Sequence, residues 1–138
     1  MQSCQFPFAV HVMAVLALQK GQACSSTKLA MTVNTNPVVI RRLLLDLQEA
    51  GLILTRRGPV GGAVLAGKPE KITLLEIHRA VDRGEMFGRH PSQPSRQCPV
   101  GREIARVMDN VRHRMSQAQA RELERMTLAT VMRELRSS

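Results

Sequence analysis

The side chains best suited to chemistry with an anion are two adjacent pairs of arginines. Arg41-Arg42 lies within an aliphatic run of helical spacing, and Arg56-Arg57 comes just before a glycine-rich turn. A guanidinium group can donate two parallel hydrogen bonds to a phosphate, or to the O6 and N7 atoms of guanine. Either pair alone is also explained as charge on a solvated surface. Whether a pair indicates anion binding depends on the helix or hairpin that carries it.

The overall charge also favours an anionic partner. The 138 residues include 20 Lys+Arg and 11 Asp+Glu, which gives a formal net charge of +9. Such a surface favours nucleic acid or anionic membrane. Aromatic residues make up only 2% of the chain, with no Trp or Tyr, which argues against single-strand binding by base stacking. The length suits one domain, or one small domain with an oligomerising arm.

Two helices joined by a tight turn are predicted around the first arginine pair. Ser25 or Ser26 is the candidate N-cap of a short helix that ends near Val33. Asn34-Thr35 then supplies the turn. The inner face of this first helix is predicted to consist of Leu29, Ala30 and Val33.

The second helix carries Arg41 and Arg42. Asn36 is its predicted cap and Pro37 its first residue, where the missing N–H costs nothing, and Gly51 ends it. Its predicted core-facing residues are Val39, Ile40, Leu43, Leu44 and Leu47.

A hairpin follows directly. Leu52–Thr55 and Ala63–Leu65 read as strands, and RRGPVGG between them supplies turn residues, including glycines that permit positive φ. A hairpin in this position is a wing, so the stretch 26–66 predicts a winged helix-turn-helix. In such a unit the second helix enters the major groove of DNA by its N-terminal residues.

The predicted DNA contacts follow from this placement. Arg41 lies one turn past Pro37 on the exposed face and is predicted to reach a base edge, with guanine the usual target. The first free amides of the second helix are predicted to hold a phosphate, and a slim wing tip allows an arginine into the minor groove. The full predicted set is Lys28, Thr35, Asn36, Val38, Arg41, Arg42, Arg56 and Arg57.

Further helices are predicted on both sides of this unit. Phe6–Leu18 reads as a buried first helix, with Phe6, Val10, Met13 and Ala17 on one stripe. It lacks the preceding Lys or Arg of a signal peptide. Thr73–Glu76 is a capping box that opens a helix through about Val81.

The C-terminal part reads as a long helix and a short one. In 101–126, Ile104, Met108, Val111, Met115 and Ala118 alternate at spacings of four and three, the seam of a coiled-coil-like contact. The stretch 116–119 offers an alternative capping box, which would bend or restart this helix. Thr127 is the candidate cap of a final helix over 128–135.

Two stretches of the chain resemble the Rrf2 family of bacterial transcription regulators. Residues 29–66 read LAMTVNTNPVVIRRLLLDLQEAGLILTRRGPVGGAVLA, and KPEKITLLEIHRAV comes after them. The similarity extends from about Phe6 to Val81, and resumes after a loop as a long dimerising helix and a short terminal one. NPxVxRRLLxxLxxAGL and GxxGG are its specific motifs. The resemblance implies a homodimer that binds a palindromic operator, with Arg41 at the groove-reading position and Arg57 as the wing arginine.

Many Rrf2 proteins sense through an iron–sulfur cluster held by three closely spaced cysteines in the loop before the long helix. Here that loop has one cysteine, Cys98, and the other two are the distant Cys4 and Cys24. A three-thiolate cluster site cannot be built from that loop within one chain. The sequence resembles a cluster-free branch of the family, and it predicts no metal and no cofactor.

Cys98 is instead a candidate thiol switch. The N-terminus of the long helix and nearby Arg96 and Arg102 favour its thiolate. Because the cluster loop of family members lies near the partner's first helix, Cys4 is its possible partner across the dimer. An ordinary small side chain is the alternative interpretation for Cys98, and the favoured one for Cys4 and Cys24.

These expectations combine into a mainly α fold: a winged helix-turn-helix domain with a two-stranded β wing (1–82), a regulatory loop (83–100) and dimerisation helices (101–138). The expected function is a cytoplasmic, homodimeric DNA-binding regulator and repressor, possessing neither a membrane segment nor a catalytic residue set. Two alternatives stay open: a sensor that binds a metal or iron–sulfur cofactor between subunits, and an interaction module that has lost DNA binding.

Overall fold

The computed structural model describes residues 4–82 and 92–137, and within these ranges the fold is mainly helical, as predicted. A two-stranded antiparallel sheet follows the third helix. The helices are α1 (Gln5–Leu18), α2 (Ser26–Val33), α3 (Pro37–Glu49), α4 (Leu74–Val81), α5 (Pro99–Arg125) and α6 (Leu128–Ser137), with a short 3-10 helix at Pro69–Lys71; the strands are β1 (Ile53–Arg56) and β2 (Gly62–Leu65).

The described residues form two compact units, 4–82 with 123–137, and 92–122. The predicted bounds placed all of 101–138 in a dimerisation region, whereas this division groups 123–137 with the first unit. Helix α6 belongs to the first unit because it packs on α1 and on the 3-10 helix. Its Leu128 is fully buried, and the Leu128 amide donates to the Ile72 carbonyl at 2.8 Å. Of the predicted regulatory loop, residues 83–91 lie outside the described ranges.

Helix α1 is the central helix of the first unit, and it contacts α2, α3, α4, α6 and β2. Ala9, Val12 and Met13 are completely buried. The predicted stripe was only partly right, since Val10 and Ala17 are half-buried. Nearly every residue of this helix is apolar, so its sequence carries no period that could identify the buried face. No helix in the described ranges is both long and apolar enough to cross a membrane.

The capping predictions hold on α4 and α6. Thr73 Oγ1 accepts from the Glu76 amide at 3.1 Å, and Glu76 Oε1 accepts from the Thr73 amide at 3.1 Å, which completes the capping box. Thr127 Oγ1 accepts from the Thr130 amide at 3.2 Å and so caps α6.

Helix α5 runs without interruption through 116–119, so the long helix is confirmed and the alternative capping box does not form. Its Ser and Gln residues are tolerated in a helix interior, and a sequence that can form a cap does so only where the backbone leaves the helix. Two ion pairs with i,i+3 spacing lie on α5, one between Arg106 and Glu103 and one between Arg112 and Asp109.

Candidate nucleic-acid interface

The turn between α2 and α3 is built by side-chain caps and one left-handed residue. Ser25 Oγ accepts from the Lys28 amide at 3.2 Å at the start of α2. Asn34 has a φ of 64° after its end, and the Thr35 amide donates to the Ala30 carbonyl at 3.0 Å. These bonds reverse the chain within a few residues, so that α2 and α3 pack against each other as a helix-turn-helix.

The first turn of α3 offers fewer free donors than the sequence predicted. Asn36 Oδ1 accepts from the Val38 amide at 2.8 Å, and Pro37 has no N–H. The Thr35 amide is already bonded within the turn. The Thr35 and Val38 amides are therefore already bonded within the chain, and the predicted phosphate contact at this turn stays a prediction.

Helix α3 separates an apolar face from an exposed one. Ile40, Leu43 and Leu47 are buried at 1% exposure or less. Arg41 and Arg42 are exposed on the other side, with no hydrogen bond to any residue in the described ranges. This face also carries the exposed apolar side chains Val38 and Leu45. Val39 was predicted to face the core, but it lies on the border of the apolar face and is 37% exposed.

The wing is a short hairpin. Ile53 pairs with Leu65 and Arg56 with Gly62. Strand β1 therefore starts one residue later than predicted and β2 one residue earlier, a shift of the size expected at element ends. Gly58 has a φ of 109° in the connecting turn, which a side chain would strain. Arg57 is exposed at the start of this turn.

Arg56, predicted as a DNA contact, bonds within the chain. Its Nη1 donates to the Gly21 carbonyl, at a distance of 3.2 Å, in the connection between α1 and α2. No local signal in the sequence could reveal this contact, because the two residues are 35 positions apart.

The same connection contains the buried Cys24. Burial raises the pKa of the Cys24 thiol, and the nearby positive charge of Lys28 opposes the shift. Lys28 itself is exposed on α2. Its contact with the DNA backbone stays a prediction.

Cys98 lies in the second unit, immediately before α5. It is exposed, and its carbonyl accepts from the Arg102 amide at 3.0 Å, so it occupies the N-terminal cap position of the helix. Cys4, at the start of α1, is also exposed.

Comparison with known proteins shows the family to which the chain belongs. The model of the Rrf2 family, described as "Iron-dependent Transcriptional regulator", matches residues 2–134. The chain belongs to the Rrf2 family. It is therefore a transcriptional regulator with a DNA-binding fold, as predicted, and not an enzyme.

Individual relatives agree with this membership. The chain is 38% identical over 128 residues to the "Putative HTH-type transcriptional regulator YwnA" of Bacillus subtilis (strain 168), covering 92% of this chain and 93% of the relative. A solved structure described as "a putative DNA binding protein" is 34% identical, with a TM-score of 0.75, over 93% of this chain and 98% of that one. CymR of B. subtilis shares the fold at 21% identity and a TM-score of 0.67, over 97% of each chain.

The family description raises the question of whether these residues fit an iron site. The whole sequence has three cysteines, and Cys24 is buried within the first unit. Among the described residues, no group of three or more His, Cys, Asp or Glu side chains is arranged to hold a metal ion. The three cysteines do not fit a cluster site with three thiolates from one chain, and no metal ligand is assigned.

Proposed function

We propose that this Rrf2 protein is a cytoplasmic homodimeric repressor that binds a palindromic operator. Each subunit would place α3 in a major groove and the wing in the adjacent minor groove. The exposed face of α3 carries the proposal, because Arg41 and Arg42 stand there free of hydrogen bonds within the described residues. Two symmetric copies of that face require two half-sites separated by one or more helical turns.

The residues of the interface divide into two roles. Lys28, Thr35, Asn36 and Arg42 contact phosphates and set the position of the protein without reading sequence. Arg41 reads a guanine, and Arg57 enters the minor groove at the wing. Val38 is 61% exposed beside Arg41 in the first turn of α3, where a branched apolar side chain suits the methyl group of thymine.

Dimerisation is assigned to α5. Met108, Val111 and Met115 lie at spacings of three and four along the helix and remain exposed in the single chain. Such a stripe on a helix with otherwise polar residues matches a helix–helix seam, and a second copy of α5 is the occupant that the family resemblance implies.

The proposed signal is thiol oxidation. A hydroperoxide would take two electrons and two protons from the thiols of Cys98 and the partner subunit's Cys4. The product would be an Sγ–Sγ bond, and the peroxide would be reduced to an alcohol and water. Both thiols are exposed, as this reaction requires. No cofactor takes part in the proposal.

Selection of genomic DNA fragments by the purified dimer, with and without hydroperoxide, tests operator and signal together. A palindromic consensus that is lost on oxidation supports both, whereas equal recovery of all fragments contradicts sequence-specific binding. If Cys98→Ser responds to oxidant like the wild type, on non-reducing gels and in DNA binding, the switch is excluded. Visible absorption after anaerobic purification would instead favour a metal or cluster sensor.

A further inference from the structure

The two wing arginines differ in their hydrogen bonds within the described residues: Arg56 has one to Gly21 and Arg57 has none. We propose that Arg56 is a positioning residue: it ties the wing to the α1–α2 connection and so sets the direction in which Arg57 reaches DNA. This inference rests on the proposed function, in which the wing enters the minor groove. It removes Arg56 from the predicted set of direct DNA contacts and gives it a role that acts through its neighbour, Arg57.

The first observation is the bond between Arg56 Nη1 and the Gly21 carbonyl, 3.2 Å long. Arg56 is the last residue of β1 and pairs with Gly62, the first residue of β2. The bond therefore attaches the hairpin at the point where its paired region ends and the exposed turn begins. A carbonyl acceptor on the protein directs this guanidinium toward its own chain.

A second contact between the wing and the α1–α2 connection lies at Cys24, three residues after Gly21. The Cys24 amide donates to the Ala63 carbonyl at 3.0 Å, and the Ala63 amide donates to the Cys24 carbonyl at 2.9 Å. Gly62 allows this close approach, because its φ is 148° and a Cβ at this position would clash with the Cys24 carbonyl. Cys24 and Ala63 are both buried at 1% exposure, so these two hydrogen bonds are protected from water.

These two contacts together fix the base of the wing. An isolated two-stranded hairpin is marginally stable in water, so the orientation of this one depends on what holds its base. The Cys24–Ala63 pair holds β2, and Arg56 holds the end of β1. Arg57 follows directly after Arg56, exposed and without a hydrogen bond to any described residue.

A positioning role and a phosphate contact differ in measurable ways. Loss of a phosphate contact lowers the dependence of affinity on salt, by about one unit in the slope of log K against log[salt]. Loss of a positioning residue leaves that slope unchanged. A residue that acts through Arg57 also has no further effect once Arg57 is gone, because coupled residues are non-additive.

A double-mutant cycle with Arg56→Ala, Arg57→Ala and both changes tests the inference on the selected operator, with anisotropy measured at several salt concentrations. Arg56→Ala is expected to weaken binding roughly tenfold with an unchanged salt slope. In the Arg57→Ala background it should add no loss. Additive losses with a slope reduced by about one would show a direct phosphate contact and overturn the proposal. Arg133→Ala, which removes an exposed charge on α6, is the control for net charge.

Amide hydrogen exchange separates this inference from the proposed function. Arg56→Ala should accelerate exchange in the wing, with the fold intact by circular dichroism, whether or not an operator is found. Failure of the wild-type protein to select any DNA contradicts the proposed function alone. Unchanged exchange at wing amides in Arg56→Ala contradicts the positioning role alone.

Discussion

Arg41 is the residue on which sequence discrimination depends in the proposed interface. It projects from the exposed face of α3, while Ile40 and Leu43 hold the opposite face in the core. Arg41→Ala should reduce the preference for operator over random DNA by about 1–3 kcal/mol, since a bidentate contact to guanine is lost. Binding titrations on both DNAs measure this. An equal loss of affinity on the two would place Arg41 on the phosphate backbone instead.

The three cysteine thiols are also expected to differ in reactivity. Burial raises the pKa of Cys24, which lowers its thiolate fraction near neutral pH, and the thiolate is the form that reacts. Cys4 and Cys98 are exposed. Iodoacetamide should therefore label these two in the native protein and Cys24 only after denaturation, as mass spectrometry would show. Native labelling of Cys24 at the rate of Cys98 would contradict the buried position.

At the scale of the element, the sequence predicted those features that depend on neighbouring residues. The caps Asn36 and Thr73 were predicted from residue types and spacing alone, and Ser25 was one of two candidates, because a cap is a contact between residues two or three positions apart. The buried face of α1 could not be found, since its composition is uniformly apolar. The bond from Arg56 to Gly21 was missed as well, because nothing local specifies a contact 35 positions away.

The capping box of α4 gives an energetic prediction for one element. Thr73→Ala removes the acceptor of the Glu76 amide and should destabilise the protein by about 1 kcal/mol, measured by urea denaturation. Thr32→Ala is the matched control, because Thr32 Oγ1 only donates back to the Leu29 carbonyl of its own helix. That change should be nearly neutral, since alanine is the better helix former. Equal losses of unfolding free energy for the two variants would mean that the capping box contributes nothing to stability.

At the scale of the whole molecule, the end of the chain completes the core around α1. Leu128 on α6 is completely buried, and backbone bonds from Leu128 to Ile72 and from Leu74 to Met126, each 2.8 Å, join the segments. Leu128→Ala should destabilise the DNA-binding unit by about 2–5 kcal/mol. Leu135→Ala on the same helix, 55% exposed, should cost far less. If α6 instead served only dimerisation, Leu128→Ala would leave the unfolding midpoint unchanged.

The assembly depends on α5, whose apolar stripe places Val111 at its centre. Val111→Asp would put a charge into the proposed seam, where burial without a partner is costly. We expect this variant to be monomeric by light scattering, and to bind the palindromic operator weakly while retaining the circular dichroism of the fold. Asn110→Asp adds the same charge at the adjacent exposed position and should leave the dimer intact. A dimeric Val111→Asp would exclude the seam, whereas two monomeric variants would show that net charge on α5, and not the stripe, controls assembly.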